Sequence, residues 1–366
     1  MAINLLPFRK LDPRTASWKT TALTFAAVLH VALLLSIVFG IAEHSRLLFI
    51  RKGYDPKRVA WEGIHKLGFI HIGKCGGVSA KQTIMDTSLT NNEIVKRGVR
   101  SYHMDPPPAL HVGLLQDWMI TIRNPIARIQ SNWIYSHPAN NQYRRDHTKP
   151  TWRQTLLYQC YSSLDDAATN GLVTPVNTVT ENKTSDDYCP SVLRRVIVGE
   201  LEDDQLIHFR RNYRYHLTPL LKNDEFIQKK NIYAVRTEHM LEDLNSINQA
   251  FGASGDVFSQ VKNFDHFWNV STNTPVLTTN LPYNNRTVSP EGMAHLCWIL
   301  CDEIQIYKRV LELAKNLRED EKEESLQQLA QQCPQQAQSN LICPMRTRDD
   351  WIRNGIPSTA AVVASS

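Results

Sequence analysis

The sequence predicts an α/β protein in which helices flank a central parallel sheet. Two segments, residues 69–85 and 118–133, each show an apolar strand followed by a turn and a helix. This order is typical of parallel sheets, in which helices connect successive strands. In such folds anions bind at the turns that follow the strands. The two segments therefore predict both the fold class and the position of a binding site.

The first segment has the composition of an anion-binding turn. Residues 69–72 are apolar or favour strands, and residues 78–85 can form a helix. The turn between them contains three glycines, Gly73, Gly76 and Gly77. Glycines permit a tight turn with exposed backbone N–H groups, and Lys74 and Ser79 then face the same anion. Considered alone, the segment fits a plain strand-to-helix turn with a solvated lysine equally well.

The order of lysine and glycines argues against a nucleoside triphosphate loop. That loop places its lysine after the glycines, in the pattern Gly-x-x-x-x-Gly-Lys-Ser/Thr. Here Lys74 precedes Gly76 and Gly77. A site for a magnesium-bound nucleoside triphosphate is therefore disfavoured.

The second segment places a cation and a hydroxyl where a phosphate would bind. Residues 118–122 form a hydrophobic strand, and Asn124 with Pro125 marks a turn or the start of a helix. Arg123 at the strand end and Ser131, eight residues later, are expected to converge on one phosphate. A guanidinium presents a planar fork to phosphate oxygens, and the hydroxyl adds a donor. Together the two segments suggest a nucleotide with two separate anionic ends.

At these residues the sequence resembles the Golgi carbohydrate sulfotransferases that use 3′-phosphoadenosine 5′-phosphosulfate (PAPS), especially the branch of the heparan sulfate 2-O- and 6-O-sulfotransferases. The family's Lys-x-Gly-Gly-x-Ser/Thr loop for the 5′-phosphosulfate is matched by Lys74, Cys75, Gly76, Gly77, Val78 and Ser79. Its Arg-Asx-Pro-x-x-Arg-x-x-Ser-x-Trp/Tyr segment for the 3′-phosphate is matched by Arg123, Asn124, Pro125, Arg128, Ser131 and Trp133. Cys75 replaces the usual threonine or serine and so removes a hydroxyl that would contact the phosphosulfate, and Asn124 replaces the commoner aspartate.

The resemblance covers about residues 64–317 and becomes fainter downstream. Residues 231–238 are expected to form a late strand, followed by a helix over residues 239–251. Ser289 is expected to cap a long helix running toward Lys315, similar to the closing helix of the family. Residues 138–225 carry almost no family signal, and those from 138 to 190 are expected to form long loops around the acceptor site.

The resemblance implies a P-loop-like sulfotransferase fold and transfer of a sulfuryl group from PAPS to a hydroxyl of a glycan or polysaccharide. Lys74 and the backbone N–H groups of residues 76–79 would neutralise the oxygen that leaves, and Arg123 with Ser131 would hold the 3′-phosphate. The transfer requires no metal. By analogy with phosphoryl transfer, positioning and electrostatics would supply most of the acceleration.

The related heparan sulfate enzymes use as base a histidine that lies between the two phosphate segments. His103 is favoured here, because it follows a short predicted strand over residues 98–102 and precedes a rigid run of prolines. His111 is the reserve candidate. His71 lies within the first predicted strand and is expected to be a packed core histidine.

The N-terminal region predicts a membrane anchor. Residues 21–42 contain no acidic or basic side chain apart from His30, and the run from 23 to 41 is long enough to cross a bilayer. An uncleaved signal anchor is favoured over cleavage near Gly40, and the resemblance implies a type II Golgi membrane protein with a lumenal catalytic domain. The predicted divisions are a cytosolic tail (1–20), a signal anchor (21–42), a stem (43–63), the catalytic domain (64–317) and a polar tail (318–366).

Seven cysteines leave at least one unpaired, and Cys75 is expected to be the free thiol. Cys160 with Cys189 and Cys333 with Cys343 would close short loops. Cys297 and Cys301 lie one helical turn apart, where direct pairing is strained, so they are expected to be buried thiols or to have other partners. No metal site is expected. Three sequons, at Asn182, Asn269 and Asn285, are compatible with a glycosylated lumenal protein.

The charge distribution fits an enzyme with anionic ligands. The net charge of +5 is modest, and the basic pairs, such as Arg194 with Arg195 and Arg210 with Arg211, suit an anionic donor as well as a solvated surface. Nucleic acid is a poorer explanation, because no recognised nucleic-acid motif accompanies the charge. Two alternatives stay open: a membrane-anchored glycan-binding protein with an inactive sulfotransferase-like fold, and a P-loop kinase-like phosphotransferase.

Overall fold

The computed structural model describes residues 66–138 except 87, 150–173, 185–261 except 202, 204, 205, 222 and 223, 287–336, and 343. These residues belong to one compact unit, residues 64–366. The predicted cytosolic tail, anchor and stem and the three sequon asparagines lie outside the described residues. Within the described part of the chain, no helix has the length and apolar character that a bilayer crossing requires.

A four-stranded parallel sheet forms the centre of the unit. Its strands are β1 (Leu67–Ile70), β2 (Val99–Tyr102), β3 (Asp117–Ile122) and β4 (Asn231–Arg236), in the order β2-β1-β3-β4. All neighbouring strands are parallel, so their carboxyl ends meet at one edge. Every residue of β1 and β3 is buried, as expected of parallel strands covered on both faces. The prediction of an α/β protein with a central parallel sheet is confirmed.

Alternation along the strands divides the core into two layers. Phe69 and Met119 pack on one face of the sheet, together with apolar residues of helices α1 (Gly77–Ile84) and α11 (Met240–Ala250). Ile70 and Ile120 pack on the other face, together with α4 (Pro125–Tyr135). Helices therefore flank both faces. Two short helices, α2 (Glu93–Lys96) and α3 (Ala109–Leu114), precede β2 and β3.

The chain between α4 and β4 is more helical than the sequence predicts. Its described elements are α5 (Trp152–Cys160), α6 (Leu164–Asp166), a π-helical turn (Ala167–Gly171), α7 (Ser185–Ile197), α8 (Ile207–Arg210), α9 (Tyr213–Leu221) and α10 (Asp224–Ile227). The expectation of long loops over 138–190 is therefore wrong for most of residues 152–171 and for residues 185–190. Thr151 and Ser163 cap α5 and α6, and Leu157 and Leu164 are buried, so a few apolar residues anchor helices in a polar stretch.

The later elements follow β4. A 3₁₀ turn (Thr237–His239) leads into α11, and a second such turn (Phe258–Gln260) follows. The predicted strand and helix at residues 231–251 are confirmed. Ser289 does cap a helix, but that helix breaks at Leu300 into α12 (Pro290–Ile299) and α13 (Cys301–Leu313). The two halves pack against different partners, α12 on the π-helical turn and α13 on β4 and α9.

Three disulfides join these outer helices. Cys160–Cys189 is confirmed, and Cys75 is the one free cysteine among the described residues. The predicted Cys333–Cys343 bridge is wrong, because Cys333 pairs with Cys297 and Cys343 with Cys301. Helix α14 (Glu319–Gln332) carries Cys333 back to α12, where the Cα atoms of Cys297 and Cys333 lie 5.5 Å apart. Part of the predicted polar tail is thus a helix tied to the compact unit.

Candidate anion-binding site

The carboxyl ends of β1 and β3 bring the two predicted phosphate segments together. β1 pairs directly with β3, so the turn after each strand lies at the same edge of the sheet. Nη1 of Arg123 donates a hydrogen bond to the carbonyl oxygen of Lys74 at 3.5 Å. Residues separated by 49 positions in the sequence therefore form one polar surface.

The turn after β1 has the backbone of an anion-binding loop. Lys74 and Gly76 both adopt left-handed conformations, with φ of 66° and 69°. Such a φ is uncommon for a lysine, so the surrounding contacts must hold this turn in place. Gly76 precedes the first residue of α1, and no side chain caps that end of the helix among the described residues. The first N–H groups of α1 are therefore suited to hold an anion.

The left-handed backbone favours glycine at position 76, and close packing requires glycine at position 77. A Cβ on Gly76 would lie 2.6 Å from Cε of Met240. A Cβ on Gly77 would lie 1.8 Å from Cδ2 of His71. The His71 ring therefore lies against the start of α1, and only glycine fits at position 77.

The Lys74 ammonium lies over an aromatic ring. Its Nζ is 3.8 Å from the centroid of Tyr135, at the end of α4. The His208 and Tyr135 rings pack in a T-shaped arrangement, with centroids 5.1 Å apart. A cation above an aromatic face is stabilised by the ring quadrupole. Tyr135 thus orients the cation that the sequence assigns to the anion loop.

The Arg123 side chain contacts two turns, the one after β1 and the one after β4. Beyond the Lys74 carbonyl, its Nε lies 3.4 Å from Oε1 of Glu238, which follows β4. Its side chain is only 16% exposed, so most of it is enclosed. An incoming phosphate would share this guanidinium with the Glu238 carboxylate.

Asn124 and Ser131 both lie at α4. The Asn124 side chain accepts the N–H of Ile126 at 2.9 Å and so caps the helix. Asparagine performs this capping as well as the commoner aspartate does. Ser131 is half-buried within the same helix. Val78 and Ser79 lie in the first turn of α1, Val78 exposed and Ser79 half-buried.

Cys75 faces the core rather than the loop surface. Its side chain is fully buried, and Sγ lies 3.5 Å from Oη of Tyr213. Its backbone N–H donates to the carbonyl oxygen of Ile72 at 3.2 Å. Burial raises the pKa of this thiol to about 11, so it stays protonated. A hydroxyl at this position would be equally enclosed, so the replacement by cysteine takes no donor from the loop surface.

His103 is held beside the anion loop by His71. Nδ1 of His103 lies 3.2 Å from the carbonyl oxygen of His71, and the two rings stack with centroids 3.9 Å apart. A carbonyl only accepts, so Nδ1 of the neutral ring carries the proton and Nε2 keeps its lone pair. Burial lowers the pKa of His103, and Arg211 and Lys81 lower it further. The ring is therefore neutral near pH 7, the form a base requires.

The other two histidines that the sequence singles out have different surroundings. His71 directly follows β1 and is buried, in agreement with a packed core histidine. Burial lowers its pKa to about 2. His111 is buried in α3, where its ring lies 5.9 Å from that of Tyr102, which packs on Trp118. His103 instead lies beside His71 and His208.

Sequence reasoning missed several residues of the site. They are Tyr135, His208, Tyr213, His216 and Glu238, whereas Arg211 was noted only as part of a basic pair. Three of them, His208, Tyr213 and His216, lie in the stretch with almost no family signal, and no local spacing links them to Lys74 or Arg123. Only the long-range packing of α8 and α9 brings them to the strand ends.

Arg128, part of the second motif, has a structural role. Its side chain is fully buried, and Nη2 lies 2.6 Å from Oε2 of Glu303 on α13. Nη1 also donates to the carbonyl oxygen of His208 at 3.4 Å. These contacts fasten the α4 helix, which follows Arg123, to α8 and α13.

Comparison with protein-family models, with curated proteins and with solved structures gives no significant match. Functional inference for this chain therefore rests on the residues of the site and on the motifs they form.

Proposed function

We propose that the chain is a sulfotransferase that moves a sulfuryl group from PAPS to a hydroxyl of a glycan. One observation carries the proposal: Arg123 lies against the lysine turn, with Nη1 3.5 Å from the Lys74 carbonyl, at the carboxyl edge of a parallel sheet. That arrangement suits a nucleotide with two separate anionic groups, which PAPS has and ordinary adenine nucleotides lack. The P-loop-like sulfotransferase fold belongs to the same proposal.

The residues divide the chemistry between them. The acceptor oxygen attacks sulfur, its proton passes to Nε2 of His103, and the bond from sulfur to the phosphate oxygen breaks. Lys74 and the N–H groups at the start of α1 stabilise the negative charge that develops on that leaving oxygen. Arg123 and Ser131 hold the 3′-phosphate and so align the donor for in-line attack. Every step uses groups of this chain and the two substrates.

The setting in the cell is part of the proposal. A signal anchor over residues 21–42 would make the chain a type II Golgi membrane protein with its catalytic domain in the lumen. The three disulfides support a secretory compartment, because such bonds persist in oxidising surroundings.

The proposal is tested by sulfate transfer from labelled PAPS to a panel of glycans, using the full chain. His103→Ala is expected to lower the transfer rate by at least roughly 10²-fold, the usual contribution of a general base. Binding of adenosine 3′,5′-bisphosphate is expected to stay close to that of the parent chain, because His103 lies beside the loop rather than in it. His239→Ala, at a half-buried histidine paired with Glu242, is the matched control and retains the rate.

Two outcomes would contradict parts of this scheme. If His103→Ala keeps most of its activity, the base is wrong and His111→Ala is tested next. If the parent chain binds glycans but transfers no sulfate to any member of the panel, the inactive glycan-binding alternative replaces the enzyme.

A further inference from the structure

The hydroxyl of Tyr213 bonds to both main-chain polar groups of Arg123. The Arg123 N–H donates to Tyr213 Oη at 2.7 Å, and Oη donates to the Arg123 carbonyl oxygen at 2.5 Å. The tyrosine begins α9 and its side chain is fully buried. Nothing in the local sequence links the two residues, which lie 90 positions apart.

This double contact continues the pairing of β3 beyond its last residue. Ile122 is the final residue of β3 paired with β4, so Arg123 has left the β3–β4 ladder. An unpaired buried N–H or carbonyl is costly, and here one hydroxyl satisfies both groups. The Tyr213 hydroxyl therefore replaces the hydrogen bonds that a neighbouring strand would make, and it fixes the backbone of Arg123.

The same hydroxyl reaches the anion loop. Sγ of Cys75, next to Lys74, lies 3.5 Å from Tyr213 Oη. The buried Tyr213 hydroxyl therefore contacts both phosphate segments. It does so at Cys75, next to Lys74, and at Arg123 itself.

The tyrosine ring is held firmly and the hydroxyl stays protonated. The rings of Tyr213 and Tyr307 meet edge to face, with centroids 6.2 Å apart, and the Arg128 guanidinium lies 5.9 Å from the Tyr213 ring. Burial raises the pKa of Tyr213 well above its ordinary value. The hydroxyl is therefore protonated at neutral pH and can donate to the Arg123 carbonyl.

We propose that Tyr213 is a positioning residue that gives the site its selectivity for a nucleotide 3′-phosphate by fixing Arg123 relative to the Lys74 loop. The inference rests on the proposed function, in which Arg123 binds that phosphate. Tyr213 itself touches no ligand in this scheme. Its effect is carried entirely by the backbone of Arg123.

The test compares two ligands that differ only in the 3′-phosphate. Calorimetry measures adenosine 3′,5′-bisphosphate and AMP binding to the full chain and to Tyr213→Phe, which keeps the ring and removes the hydroxyl. The bisphosphate is expected to bind about tenfold more weakly to the variant, as for the loss of a buried hydrogen bond. AMP affinity is expected to change by less than about twofold, because AMP has no 3′-phosphate for Arg123 to bind.

Two further variants separate positioning from general destabilisation. Tyr307→Phe removes another buried hydroxyl, one bonded to Ser325, and is expected to keep the parent ratio of the two affinities. In an Arg123→Ala background, Tyr213→Phe is expected to cause no further loss of bisphosphate affinity. If Tyr213→Phe is too unstable for calorimetry, ligand-induced shifts in Tm report the same comparison.

The outcomes are distinct. If Tyr213→Phe keeps the parent ratio of bisphosphate affinity to AMP affinity, whether or not both affinities fall, the positioning role is overturned. The proposed function then stays in place. A parent chain that does not distinguish the bisphosphate from AMP overturns the proposed function, and this inference with it.

Discussion

The chemistry of His103 is set by the charged and titratable groups around it. Those that face it are His71, Lys81, His208, Arg211 and His216. Burial lowers its pKa most, the hydrogen bond to the His71 carbonyl opposes this, and Arg211 and then Lys81 lower it further. A lowered pKa means that the neutral ring persists to more acidic pH than for a free histidine.

The pH dependence of transfer is expected to report this environment. The rate should rise with pH through the pKa of His103, which lies below the ordinary 6.5, and stay level above it. Arg211→Gln removes a nearby positive charge and should raise that pKa, so the acidic limb of kcat/KM moves to higher pH. Arg210→Gln, at the neighbouring basic residue, is the control. A limb that stays in place, or moves to lower pH, in Arg211→Gln would contradict the assignment.

At the level of elements, the ion pair of Arg128 and Glu303 locks α4 to α13. Both side chains are buried, and the Asn212 side chain also bonds to Glu303. A buried pair of this kind contributes little when compared with an apolar replacement, but removing one partner leaves an uncompensated charge. The start of α4, immediately after Arg123, therefore depends on the closing helix α13.

Glu303→Gln is expected to lower the free energy of unfolding by about 3 kcal/mol, because Arg128 stays charged in the core. Urea unfolding measures the change. Glu312→Gln serves as the comparison, since Glu312 lies on the same helix and forms an exposed pair with Arg309. That surface pair should contribute less than about 1 kcal/mol. Equal losses of unfolding free energy in the two variants would show that the buried Arg128–Glu303 pair stabilises the fold no more than a surface pair does.

Local sequence patterns predict some features of these elements and not others. The strand ends carrying Lys74 and Arg123 were predictable, because apolar runs followed by turns specify parallel strands whose ends share one edge. The cap at Ser289 was predictable because a serine just before a helix is itself a local signal for the start of that helix. The break at Leu300 and the Cys297–Cys333 pairing were not, because both depend on where α12, α13 and α14 pack. Tyr213 was missed because its partner lies 90 positions away.

Across the whole molecule, several histidines are folded in the neutral form. His71 and His216 are buried and His208 is half-buried, and desolvation is the largest cause of the lowered pKa of each. The pKa of His216 falls to about 3, and among the described residues neither of its ring nitrogens has a hydrogen-bond partner. The folded protein therefore does not bind protons at these sites under mildly acidic conditions, whereas the unfolded chain does.

This difference predicts that stability falls on acidification. Below about pH 6.5 the unfolded state binds more protons than the folded state, so each such histidine costs up to about 1.4 kcal/mol per pH unit. The free energy of unfolding, measured in urea between about pH 7.5 and 5.5, should fall steeply. His216→Phe removes one of the three groups and should make the slope shallower. A stability that is flat or rises as the pH is lowered would contradict the neutral assignment.

The proposed function requires that this molecule bind a nucleotide carrying a separate 3′-phosphate. Calorimetry of adenosine 3′,5′-bisphosphate and of ATP, each with and without Mg²⁺, tests this most directly on the full chain. We expect metal-independent binding of the bisphosphate, much weaker binding of ATP, and loss of the bisphosphate preference in Arg123→Ala. Binding of ATP that equals that of the bisphosphate, or that requires Mg²⁺, would contradict the sulfotransferase and favour a kinase-like phosphotransferase.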